Sequence, residues 1–332
     1  MTKFLSIAAA VLLLGCQSFQ KTPDVSAIDV PLTTIRFEQA FFAIDTLQLD
    51  PSLQKLAGQE HFFTQDFLYN ILATTPQTAA KDVPQFMRAY QSMYKQVSTQ
   101  FASLKTEEAA IKEGLQYVKY YFPDYKLPTK LITFIGPINS FGNIITIDAL
   151  AVGLQMYLGK NDPIYLTEEG QNLYPVYVSR RFERAYMATN CMKNIIDDLY
   201  PLQDAGAPLC EQMVEAGKRL YFLKKVLPHE ADSIVTGYTA AQLEGCYKSE
   251  KDIWSFFVQN NLLYEKDPSL IGDYMHDGPN TAVFGDSSPG FIGQFVGYRI
   301  VEAFLEKNKE TSLDKLLKIP AKIIFEQAKY KP

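Results

Sequence analysis

The sequence predicts an α+β fold, mostly helical with a small mixed sheet. Three observations lead there. The first third repeats apolar residues at helical intervals, most clearly Phe86, Met87, Tyr90, Met93, Tyr94, Val97 and Phe101. Short β-branched runs bounded by turn residues follow over 130–135 (KLITFI), closed by Gly136-Pro137, and over 144–147. From about Val176 helical periodicity returns and continues nearly to the end.

Lys3 precedes one apolar run over 4–14, eleven residues long and closed by Gly15-Cys16. A bilayer span needs about 20 residues, so this stretch reads as a signal peptide over 1–15. Leu13-Leu14-Gly15-Cys16 resembles the lipobox of bacterial lipoproteins, which makes Cys16 the expected lipidation site and new N-terminus. Leu14 departs from that pattern, since a smaller residue is commoner there. A plain signal peptide and an uncleaved anchor are the alternatives. Two or more acyl chains suffice for stable membrane attachment. The polar, aperiodic stretch over 16–32 reads as a tether.

Residues 33–125 read as a helical part, with helices over 35–45, 62–73, 83–104 and 107–121, the last capped by Thr106. Residues 126–332 read as the α+β part, packed as one domain with 33–125. There the strands over 130–135 and 144–147 lead through Asp148 into a helix over 149–158, ended by Gly159. A third short strand is expected over 163–165. Further helices are expected over 176–186, 191–199, 208–228, 240–260 and 289–306. Ser287-Ser288-Pro289 reads as the cap of the last one. Gly290, Gly293 and Gly297 inside it each cost about 1 kcal/mol against alanine, which predicts a compensating close contact with another helix.

The helix over 208–228 presents Leu209, Met213, Gly217, Leu220, Tyr221 and Leu227 on one face and Glu211, Glu215, Lys218 and Arg219 on the other. It reads either as a surface helix with a solvated charged face or as the remnant of a metal-ligating helix around Glu215.

The chemistry that can be recognised by motif is sparse. The net charge of −5 and the lack of a basic run argue against nucleic acid as a partner. The histidines, His61, His229 and His276, are far apart, and Ser233 stands where HExxH would need its second histidine after His229-Glu230. No G-x-S-x-G or G-x-G-x-x-G occurs, and 153–160 (GLQMYLGK) misses a phosphate loop in length and last residue. Asp197 and Asp198 are adjacent and diverge on a helix. Besides Cys16, the cysteines are Cys191, Cys210 and Cys246, so at most one bridge forms among them, or all three are core thiols. These observations predict neither enzyme activity nor a cofactor.

Several segments together resemble one family. They are Phe37-x3-Phe41-Phe42-x2-Asp45; Phe141-Gly-Asn143 with Ile145-x-Ile147-Asp148; Met156-Tyr-Leu-Gly159; Tyr177-x-Ser-Arg-Arg-Phe182; Met192-Lys193; and Glu215-x-Gly-Lys-x-Leu-Tyr-Phe222. Gly237-Tyr-Thr-x2-Gln-Leu243, Ile253-Trp-x-Phe-Phe257, Asn260-Asn-Leu-Leu-Tyr264, Ser288-Pro-Gly-x2-Gly293, Val296-Gly297 and Ile300-Val301 continue the pattern. It resembles the GldB gliding-motility lipoproteins of Bacteroidetes bacteria. The resemblance implies a cell-envelope lipoprotein on the periplasmic side, held to the membrane by its lipid anchor. Its implied partners are envelope motility and secretion proteins, and its implied action is non-enzymatic protein binding.

The C-terminal two-thirds is also similar to a zinc-protease (zincin-like) domain. Under that comparison Cys191-Met-Lys-Asn-Ile195 occupies the HExxH position and Glu215 the third-ligand position. This is a degenerate scaffold without the metal, in which Glu215 is expected to pair with Lys218 or Arg219. Two alternatives remain: a surface nutrient- or glycan-binding lipoprotein using exposed aromatics of the N-terminal third, and an unrecognised hydrolase.

Overall fold

The computed structural model describes residues 22–202, 204 and 206–332. The signal peptide, Cys16 and the start of the expected tether lie outside the described residues.

A four-stranded sheet is the frame. Its strands β1 (Thr33–Arg36), β2 (Lys130–Phe134), β3 (Asn143–Ile145) and β4 (Ala149–Gly153) lie in the order β1-β2-β4-β3. β1, β2 and β4 are parallel, with Ile35 opposite Ile132 and Ile132 opposite Ala151; β3 runs antiparallel to β4. Side chains alternate between two cores. Leu131, Leu150 and Val152 enter the larger one, while Ile132, Phe134, Ala149 and Ala151 enter the smaller. Both faces are therefore covered, and β4 reads in sequence as an unbroken apolar run. The helix expected over 149–158 is this strand followed by a single turn, Leu154–Met156. The helix expected over 35–45 likewise opens as β1.

The smaller core lies under α1 (Phe37–Phe42), α2 (Leu49–Gln59), α3 (His61–Gln65) with its π-helical continuation Asp66–Ile71, and the start of α4 (Ala79–Gln100). Its centre is aromatic: Phe37 meets Phe63 at 4.8 Å and Phe41 meets Phe67 at 4.7 Å between ring centroids, both edge-on. α4 serves both cores, with Val83 and Met87 in the smaller and Met93 and Val97 in the larger. On the larger side, α5 (Lys105–Tyr121) starts after Leu104, earlier than a Thr106 cap would give. The expected tether is not free along its whole length. Val25 and Val30 are buried in the larger core, the Gln116 amide donates to the Ile28 carbonyl at 2.8 Å, and the Tyr117 hydroxyl donates to the Pro23 carbonyl at 3.2 Å.

The short helices α6 (Pro163–Leu166), α7 (Glu168–Leu173) and α8 (Val176–Ser179) precede α9 (Met187–Leu199) and α10 (Leu209–Val226). α6 replaces the expected third strand, because the Asp162 carboxylate caps the Ile164 N–H at 3.1 Å and Pro163 fits the first turn. The chain continues as α11 (Asp232–Thr236), α12 (Ala240–Lys248), α13 (Glu250–Gln259), α14 (Pro268–Met275), α15 (Ile292–Lys307), α16 (Leu313–Lys318) and α17 (Ala321–Ala328).

The close contact predicted from the glycines is the crossing of α10 and α15. A Cβ on Gly297 would lie 1.5 Å from the Met213 carbonyl oxygen, and one on Gly217 would lie 2.1 Å from the Gly297 carbonyl carbon. Only glycine admits that approach. α15 begins later than its expected cap: Ser288 bonds to Thr281, and Phe291 precedes the helix.

Candidate functional site

α9 and α10 pack side by side, and beside them opens a cleft of about 460 Å³. α9 contributes Lys193, Ile196 and Asp197 at i, i+3 and i+4, one helical face. α10 contributes Gln212, Ala216, Arg219, Leu220 and Leu223 from its own stripe. The remaining walls are Arg180 and Arg181 after α8, 235–238 at the end of α11 and just after it, Met275 to Asp277 at the end of α14, and Phe291 with Gln294 at the start of α15. Ile196, Leu220, Leu223 and Val235 give the lining an apolar part. Its size and mixed lining are those of a ligand site.

A polar scaffold fixes these walls. The Arg180 guanidinium donates to the Gly237 carbonyl (2.9 Å), the Gln242 side-chain oxygen (3.1 Å) and the Tyr177 carbonyl (3.2 Å). The Gln242 amide in turn donates to the Ser288 carbonyl at 3.1 Å, and the Thr281 hydroxyl donates to the Pro289 carbonyl at 2.8 Å. Phe291 has φ 55°, a conformation that bulky residues seldom adopt, and its carbonyl accepts from the buried Tyr238 hydroxyl at 2.8 Å. The loop over 281–291 is thus tied down from both sides.

The cleft's charges are mostly spent on one another. Arg181 pairs with Asp277, and Arg219 pairs with Asp197 while also donating to the Tyr200 carbonyl at 2.5 Å. Lys193 differs. Among the described residues its ammonium makes no hydrogen bond and no ion pair, and Asp277 and Asp197 act on it only from farther off. Burial, followed by the nearby Arg181 cation, pushes it down to about 8.

Segments that are distant in sequence meet here: 180–181, Lys193, 237–238 and Gly290 all belong to the stretches quoted for the family resemblance. The profile of the family described as gliding motility protein GldB matches residues 18–332. The chain belongs to the GldB family. Among curated proteins and among solved structures nothing matches. GldB membership implies a gliding-motility-associated lipoprotein of the cell envelope. Among the described residues, no helix is long and apolar enough to cross a membrane.

The positions singled out in this GldB chain by the zinc-protease comparison do not form a metal set. Cys191 and Ile195 are fully buried in the larger core, on the side of α9 packed against β3. Burial pushes the Cys191 thiol up to about 12, and its one hydrogen-bond partner among the described residues is the Asn143 amide at 3.5 Å. A thiol so placed stays protonated and is a poor metal ligand. Glu215 lines a different cleft, under residues 317–321. There it accepts from Lys218 at 2.7 Å, one of the two partners expected; Arg219 has gone to Asp197.

Lys218 itself overturns the solvated-face reading. It is 2% exposed, and it donates to the Ile319 (2.6 Å) and Leu317 (3.3 Å) carbonyls. Among the described residues, no group of three or more His, Cys, Asp or Glu side chains is arranged to hold a metal ion. Cys191, Cys210 and Cys246 are all free and buried.

Lys193, Arg180, Arg181 and the His276-Asp277 pair are not recognisable from sequence as parts of one site. The signal that is present is local: a lysine between Met192 and Asn194 on a helix whose buried face is mostly apolar.

Proposed function

We propose that the protein acts in gliding motility and its linked secretion machinery by binding a partner, and not by catalysis. The observation that carries this reading is the cleft beside α9 and α10, which is preformed, half apolar and half charged, and whose arginines are committed to holding its walls. The reading keeps α9 and α10 as the former ligand helices of a peptidase-like scaffold whose ligand positions now serve packing. His229 lies at the surface, 3.6 Å from Glu113. The aromatics of the N-terminal third favour the motility reading over glycan capture, since most of their rings are packed into or against the two cores. The exposed rings there are Phe62, Tyr69 and Tyr120.

The test is a deletion strain complemented with Ala216→Trp, which fills the cleft from an only partly buried position. Deletion abolishes colony spreading or protein secretion while growth on simple sugars stays normal, and Ala216→Trp fails to restore it at wild-type protein level. Full restoration by Ala216→Trp would contradict the role of the cleft. Stoichiometric zinc in the purified, untagged protein, or chelator-sensitive peptidase activity, would contradict the non-enzymatic reading.

A further inference from the structure

We propose that the cleft is a receptor for the carboxylate of an amphipathic ligand, with Lys193 as the anion's partner and Ile196, Leu220, Leu223 and Val235 as the seat of its apolar body. This rests on the binding reading above and names the chemistry of what is bound.

The charge distribution carries it. Of the cations lining the cleft, Arg180 is held by Gly237, Gln242 and Tyr177, Arg181 by Asp277, and Arg219 by Asp197 and Tyr200. Among the described residues Lys193 has no hydrogen-bond or ion-pair partner, and Asp277 and Asp197 act on it only from farther off. A partly desolvated ammonium with no acceptor is unfavourable, and an entering anion relieves that cost with a charge-assisted hydrogen bond.

The same walls limit the ligand to a single negative charge. Asp204 also lines the cleft and forms no ion pair among the described residues, which disfavours a ligand of several negative charges. Beside these charged groups the lining includes four apolar side chains, from α9, α10 and α11. A ligand that matches this lining has one carboxylate and an aliphatic or aromatic body. A cleft of about 460 Å³ holds roughly two apolar residues or a medium-length acyl chain. The C-terminus of a peptide and a free carboxylic acid share this chemistry.

Calorimetric titration of the purified protein with N-acetyl-Leu-Leu, its C-terminal amide and octanoate tests the proposal. The free acid is expected to bind at least tenfold tighter than the amide. Lys193→Met should reduce the acid to the level of the amide, while Lys193→Arg keeps most of the preference. Thermal unfolding of Lys193→Met, with a midpoint no lower than wild type, excludes misfolding as the cause.

Octanoate binding as tightly as the peptide acid identifies free acids as the source; weaker binding identifies a peptide terminus. Equal affinity for acid and amide, no binding of either, or an unchanged acid affinity in Lys193→Met would overturn the proposal. If acid and amide bind equally while Ala216→Trp still abolishes spreading, the carboxylate inference fails and the binding function stands. If the acid is preferred while Ala216→Trp spreads normally, the site stands and its proposed role in motility fails.

Discussion

The two faces of α9 are two residues apart in sequence and opposite in character. One carries Cys191 and Ile195, fully buried, with a thiol held neutral by its surroundings. The other carries Lys193 and Asp197, which line the cleft. A comparison with zinc proteases directs attention to the first face, because that is where ligands would stand. The charged groups lie on the second. A fully buried face holds the helix in place through packing, which leaves the neighbouring face free for binding.

The largest expected effect removes the frame of both faces. Gly297→Val places carbon atoms inside the α10 backbone, and α10 is a wall of the cleft as well as a neighbour of α9. A loss of about 4 kcal/mol or more is expected, read as a lower urea midpoint, because the clash is with backbone and cannot be relieved by a rotamer change. Stability near wild type would mean that the crossing is looser than described.

Ile195→Ala sharpens the comparison on the packing face. Truncation of a fully buried isoleucine costs about 2–5 kcal/mol. Spreading per molecule of folded protein should be unchanged, as measured by complementation corrected for envelope level. A selective loss of spreading at normal stability would place function on this face after all.

The smallest effect lies away from both faces and serves as a control. Glu38 is buried beneath the sheet, accepting from the Thr133 hydroxyl at 2.7 Å and from Arg36 at 2.6 Å. Burial outweighs these bonds and holds its carboxyl above the usual 4.5. The folded state therefore binds the proton more tightly than the unfolded chain does. Stability from this group is fully present below about 4.5 and declines as pH rises through the folded value. Wild type should lose stability relative to Glu38→Gln over that rise, measured by urea unfolding at successive pH values. Parallel pH profiles would contradict it.

The difference between the two faces also shows what was legible in the sequence. Strands β2 and β3 and the long helices were, because Gly136-Pro137, the turn at 139–143 and the stripe along α4 are local signals. β4 was not. Burial on both faces removes the alternation that marks a strand, and Ala149 to Met156 then resembles a buried helix. β1 was hidden because Arg36 passes directly into Phe37 of α1 with no turn residue between. The spacing of glycines along α15 did report the crossing with α10, since glycines inside a helix are costly unless another backbone passes close beside them. The cleft could not be read in the same way. Its walls come from segments up to about a hundred residues apart, and which cations are spent on carbonyls and carboxylates depends on tertiary contacts. Lys218 illustrates this: it sits among charged residues on a helical wheel, yet it is buried against the Leu317 and Ile319 carbonyls.

The central claim is that α9 works through its cleft face. The most direct measurement is complementation of the deletion strain with Lys193→Met and, in parallel, Cys191→Ala, scoring colony spreading at matched envelope protein levels. Lys193→Met is expected not to spread, with stability at or above wild type because a desolvated cation with no ion pair among the described residues has been removed. Cys191→Ala is expected to spread normally. Normal spreading of Lys193→Met, or loss of spreading only in Cys191→Ala, would contradict the central claim.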